Sequence, residues 1–183
     1  MVGDQNSNLF EIGFVEGPHS AHHDDLFVRV RTERLVCDSY YFEIWQHQNQ
    51  YAGLNAYAVL ASAADNWIRT VNSATIPSIL HIPFGLNDQS VTWITIELET
   101  DGEALVSVGF NLENGYAIDP INGTRTSRPP DLQPEPAMDV RLSRDNLVQA
   151  LTRFRADVDR ELKDLRTRVA RADADSQGSE LPS

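Results

Sequence analysis

Apolar and polar side chains alternate along several short stretches of this chain, and two longer stretches repeat their apolar positions every three or four residues. Alternation marks a half-buried strand, and the longer repeat marks a helix with one face on a core. Leu9 to Val15 predicts a first strand, closed by Gly17-Pro18, with a loop from His19 to Asp25. Leu26 to Thr32 predicts a second, with Leu26, Val28 and Val30 on one face and Phe27, Arg29 and Arg31 on the other. Leu35 to Cys37 and Tyr40 to Gln46 extend the sheet, the latter by alternating Tyr40, Phe42 and Ile44 with Tyr41, Glu43 and Trp45. The period then changes. Asn55 is placed to cap a helix to about Val71, with Tyr57, Leu60, Ala61, Ala64, Trp67, Ile68 and Val71 on one stripe. Pro77 and Pro83 bracket a short segment, Ser78 to Ile82.

Val91 to Leu112 predicts a hairpin. Its first strand turns Thr92, Ile94, Ile96 and Leu98 inward and Val91, Trp93, Thr95, Glu97 and Glu99 outward. Asp101-Gly102 supplies a type I′ turn, because glycine accepts a positive φ without steric cost. Ala104 to Leu112 returns with Val106, Val108, Phe110 and Leu112 inward, and Asn114-Gly115 leads into a third strand, Tyr116 to Asp119. Pro120 to Pro136 holds five of the nine prolines and predicts an ordered loop, within residues 120–140, of the length binding loops have. Ser143 caps a final helix from about Arg144 to Ala170, where Leu147, Leu151, Phe154, Val158, Leu162, Leu165 and Val169 recur at helical spacing. That helix is roughly 40 Å long at 1.5 Å per residue. Its half from Glu161 to Arg171 is expected to project or to pair with another chain, giving a homodimer. Residues 173–183 predict a disordered tail. The fold class expected is α+β: one domain over residues 1–172, an antiparallel sheet of about five to seven strands packed by one central helix and a long C-terminal helix.

Charge adds a direction to this picture. The chain has 183 residues, 41% of them hydrophobic, with 15 basic and 27 acidic side chains, a net of 15 − 27 = −12. Residues 1–140 hold 6 Arg, no Lys and 19 Asp or Glu (6 − 19 = −13), while 141–183 hold 9 basic and 8 acidic side chains (9 − 8 = +1). The acidity therefore belongs to the strand-bearing body. It disfavours direct binding of nucleic acid, which needs clustered Arg and Lys, and it steers basic proteins inward. One cysteine excludes an intramolecular disulfide framework. The longest mostly apolar run, Ala56 to Ala64, falls well short of the roughly 18 residues that span a bilayer, so no membrane partner is expected. The opening Met1-Val2-Gly3-Asp4-Gln5-Asn6 has neither the basic nor the apolar region of a signal peptide, and a cytoplasmic location is expected.

Few constellations could carry chemistry. His19, His22, His23, Asp24 and Asp25 offer imidazole and carboxylate ligands within seven residues, the donor set of zinc, nickel or iron. Their spacing matches no pattern that holds two ligands on one face, so a solvated loop is the plainer reading and no cofactor is expected. Cys37 would need a base, and His47 and His81 sit at no recognisable spacing from it; a buried structural thiol is expected, and His81 reads as an ordinary strand histidine. Glu97, Glu99, Asp101 and Glu103 form an acidic row along the outward face and turn of the hairpin, with Trp93 on the same face. Such a row suits a solvated surface or a docking surface with Trp93 as aromatic anchor. Phosphate-loop, HExxH and GxSxG motifs are missing, and Lys163 is the only lysine, which argues against the common enzyme classes.

The order of elements carries a resemblance. A helix ending Trp67-Ile68-Arg69-Thr70-Val71 precedes the Val91–Leu112 hairpin with its Asp101-Gly102 turn; Asn114-Gly115 and a proline-rich crossing follow. A closing helix then opens Val140-Arg141-Leu142-Ser143-Arg144-Asp145-Asn146-Leu147-Val148-Gln149-Ala150-Leu151-Thr152-Arg153-Phe154. This order resembles the small acidic immunity proteins of bacterial polymorphic-toxin systems, particularly those paired with deaminase or nuclease toxins. The likeness covers residues 55–155, and the closing helix lacks the Gly-Arg-Pro-type ending often found there. It implies a protein that blocks a basic toxin domain, with Trp93, Glu97, Glu99, Asp101 and Glu103 binding the partner and the carboxylates standing in for substrate phosphates. One alternative is a dimeric secretion chaperone or adaptor that binds an effector. Another is a metal-dependent enzyme using His19, His22, His23 and Asp24.

Overall fold

The alternating stretches at the start of the chain pair with one another. In a computed structural model, which describes residues 9–16, 23–48, 56–99 and 102–178, β1 (Phe10–Phe14), β2 (Leu26–Val30) and β3 (Glu33–Cys37) form an antiparallel sheet in that order. Leu26, Val28 and Val30 are fully buried on its inner face, and on the other face the Arg34 guanidinium lies 4.2 Å from the Phe27 ring centroid. Cys37 ends β3 as a buried thiol that burial pushes up to about 12, so it stays protonated at neutral pH and inert as a nucleophile.

Tyr40–Gln48 is a helix, α1, and not the strand that its alternation predicts. Its buried positions among residues 40–45 are Phe42 and Trp45, three apart, which share one face of a helix but would take opposite faces of a strand. Its start is fixed from outside: the Ser39 N–H and hydroxyl both donate to the buried Asp25 carboxylate, and the Ser39 carbonyl accepts from the Phe42 N–H. Helix α2 (Ala56–Ser73) buries Tyr57, Leu60, Ala61, Ala64, Trp67 and Val71 as the spacing predicts, together with Val59 and Ala63. The Asn55 cap lies outside the described residues.

The second sheet is a meander, β4 (Ser78–Leu86), β5 (Val91–Leu98), β6 (Glu103–Asn111) and β7 (Gln133–Ser143), with strand order β4-β5-β6-β7. Four expectations change here. Tyr116 to Asp119 is not a strand; Gly115–Ala117 is a turn of 3₁₀ helix, capped by the Asn114 side chain accepting the Tyr116 N–H. The strand beside β6 is instead β7, drawn from the proline-rich segment, so residues 133–143 belong to the sheet and only 118–132 form the ordered crossing. Pro134 and Pro136 are tolerated because β7 is an edge strand that bulges: Ser107 pairs with Asp139 while Gly109 pairs with Pro134. β4 likewise runs through Pro83 to Leu86, with its own irregularity between Pro83 and Gly85. Leu112, expected inward, is 81% exposed because the chain leaves the sheet after Asn111.

Helix α3 (Arg144–Gly178) closes the molecule, capped by the Ser143 hydroxyl accepting the Asn146 N–H. It continues past residue 173, where a disordered tail was expected. Leu147, Leu151, Phe154, Val158 and Leu162 are buried, and Leu165 packs against the same core. The helix therefore still packs on the core one turn beyond Glu161, where it was expected to leave it. Phe154 stands at the centre: its ring meets Phe14 of β1 at 5.9 Å, Trp67 of α2 at 6.2 Å and Phe84 of β4 at 6.4 Å between centroids. Arg144 donates to the Val71 and Ala74 carbonyls, capping the end of α2, and its N–H donates to the Gly102 carbonyl in the β5–β6 turn.

Candidate functional site

The outer face of the four-stranded sheet carries polar side chains where an apolar hairpin would not need them. Strand register aligns His81, Thr95, Ser107 and Asp139 in one row across β4 to β7, and Ile79, Glu97, Leu105 and Arg141 in the next. The crossing segment 118–132 then folds back over this face. Arg125 bridges to His81 through two backbone hydrogen bonds, 2.7 and 2.9 Å, and so covers part of the exposed edge of β4.

Trp93 lies on the face that its alternation predicts but is wholly buried there, so it is not an accessible anchor. The loop covers it. The Arg125 guanidinium sits 4.9 Å from its ring centroid, and its indole N–H donates to Asn111 Oδ1 at 2.9 Å. The Asn111 amide donates onward to the Pro130 carbonyl and to Glu113, and Arg125 grips both Glu113 oxygens at 3.0 and 2.8 Å. Those guanidinium hydrogen bonds hold the Glu113 carboxyl below its usual range. Every member of this network has partners, and it fastens the loop to the sheet.

Beside it lies a cavity of about 240 Å³. Its floor is the His81–Thr95–Ser107 row with Gly109 and its β7 partner Pro134; Ile79 and Glu97 form one wall, and Arg128 and Leu132 of the crossing segment form the roof. The His81 ring is 3% exposed, and its Nδ1 lies 2.9 Å from Thr95 Oγ1. Burial, then the positive charges of Arg128 and Arg125, hold its pKa below the ordinary 6.5. Gly109 is required by close approach: a Cβ there would lie 2.6 Å from the Gln133 carbonyl oxygen.

The acidic row is divided among several settings. Glu99 is paired with Arg141, Glu103 is exposed, Glu97 is half-buried in the cavity wall, and Asp101 lies outside the described residues. Gly102 has φ +81, the conformation predicted for the turn. Next to the row a shallow groove of about 590 Å³ is lined by Pro77, Ser78, Ile79, Glu97, Leu98 and Glu99, with Ile79 45% exposed. Sequence reasoning missed Arg125, Arg128 and Asn111. The available signal was two of the six arginines of residues 1–140 falling together in the proline-rich stretch.

The histidine cluster is not assembled into a ligand set. His19 and His22 lie outside the described residues. The His23 ring packs on Tyr40 at 4.9 Å and its Nδ1 lies 3.4 Å from Asp38, while the Asp24 N–H donates to Asp38 and Asp25 is committed to Ser39. Among the described residues, no group of three or more His, Cys, Asp or Glu side chains is arranged to hold a metal ion. In a larger groove of about 670 Å³ between the first sheet and α3, Arg29 is paired with Glu11 and Arg160 with Asp157, and Glu16, Arg34 and Glu161 also line it. No described helix is long and apolar enough to cross a membrane. No family model, curated protein or solved structure matches the chain.

Proposed function

We propose that this protein is a cytoplasmic binding module that docks a basic protein partner on the rim of its four-stranded sheet. One observation carries the reading: Ile79 is exposed in a groove flanked by Glu97 and Glu99. An apolar contact ringed by carboxylates complements a partner that presents an apolar side chain among Lys and Arg. The carboxylates speed encounter and the desolvated apolar contact holds the complex. The resemblance to immunity proteins makes that partner a basic toxin domain, and occlusion of the toxin's active site the mechanism. No bond is made or broken by this chain.

The test is binding to the domain encoded in the adjoining reading frame, measured by surface plasmon resonance at low and high salt. Glu99→Lys with Glu103→Lys is expected to cut the association rate by about tenfold or more at low salt, with the difference fading at high salt. Equal rates for wild type and variant overturn the reading, as does an adjoining frame that encodes no basic domain.

A further inference from the structure

The cavity on the outer face holds two opposite formal charges that do not neutralise each other. Glu97 lines its wall and Arg128 its roof. Arg128 donates to the Leu132 carbonyl at 2.9 Å, and among the described residues no ion pair joins it to Glu97. Glu99, two residues further along β5, is by contrast already paired with Arg141. Between the charges lies a floor of neutral hydrogen-bonding groups, His81, Thr95 and Ser107, and the remaining lining includes Ile79, Val108, Leu132 and Pro134. Thr95 Oγ1 engages Nδ1 of His81, which leaves Nε2 as the other ring nitrogen open to a ligand.

We propose that this cavity binds a small zwitterion, its ammonium group against Glu97 and its carboxylate received by Arg128 and Nε2 of His81. A simple anion is repelled by Glu97 and a simple cation by Arg128, and the partly closed, weakly polar walls strengthen both effects. A molecule bearing both charges satisfies the two at once. The cavity's 240 Å³ is below the range of drug-sized pockets, which points to a ligand on the order of ten non-hydrogen atoms with a short apolar body, an amino acid in size and character. This proposal goes beyond the docking reading and does not depend on it.

Isothermal titration with L-leucine, leucinamide and 4-methylpentanoate separates the charge requirements. L-leucine is expected to bind at least about tenfold more tightly than either singly charged analogue. Arg128→Gln should bring L-leucine to the level of leucinamide, and Glu97→Gln to the level of 4-methylpentanoate. Arg128 is exposed and Glu97 half-buried, so both variants should keep the wild-type near-UV circular dichroism. Leucinamide binding as tightly as L-leucine, 4-methylpentanoate doing so, or no binding of any of the three overturns the proposal. None of these outcomes touches the docking reading, which is tested at Glu99 and Glu103.

Discussion

His81 couples stability to pH through one buried ring. Its folded pKa lies below the ordinary 6.5, from burial first and then from Arg128 and Arg125. The unfolded chain therefore takes up a proton that the folded chain refuses as pH falls below about 6.5. Stability from this group is fully present above that pH and is lost as pH falls towards the folded pKa. Glu97 lines the same cavity, and the direction of the shift is downward with it in place. The unfolding free energy is expected to drop between about pH 7.5 and about pH 5.5, and His81→Asn should remove part of that drop. Identical pH dependence of the two proteins in urea melts would count against the assignment. Alternation placed Thr95 and Trp93 on the sheet, and the neighbours Leu80 and Ile82 placed His81 there. It could not show that a distant loop covers them, because a period of two reports which face a residue takes and not what lies over it.

At the scale of elements, the crossing from β6 to β7 decides the shape of the site. Gly109 lets β7 start against β6, since any Cβ would press on the Gln133 carbonyl 2.6 Å away. Gly109→Ala must shift β7 or the roof of the cavity, at a cost of about 1–3 kcal/mol. A thermal melt should show a Tm lower by several degrees, and an unchanged Tm would refute the close-packed crossing. Both α3 and the β5–β6 hairpin were legible from their spacing and from Asp101-Gly102. β7 was not: Pro134 and Pro136 read as loop, and only the edge position and the bulge admit them. α1 was mistaken for the opposite reason: Tyr40 to Gln46 was matched to alternation, although Phe42 and Trp45 are three apart and share a face only in a helix, and the deciding contact, Asp25 with Ser39, spans fourteen residues.

The whole molecule depends on its last helix for more of its core than the sequence suggests. Cutting the chain after Ala156 looks, from spacing alone, like the removal of a projection. It removes Val158 and Leu162, both buried, each worth about 1.5–3 kcal/mol of burial. That is a large share of the roughly 5–15 kcal/mol by which a domain is stable. Truncation after Ala156 is expected to abolish cooperative unfolding, whereas truncation after Thr167 should leave the Tm nearly unchanged. If the distal helix pairs two copies, the longer truncated form should also lose mass in light scattering. Cooperative melting of the shorter form would refute the dependence. The same arrangement bears on how the protein is made. Phe154 fills the middle of a core whose other walls are translated earlier, and Arg144 ties off a helix finished some seventy residues before it. Phe154 and Arg144 must therefore leave the ribosome before that core can close, and until then the meander keeps apolar surface exposed to water.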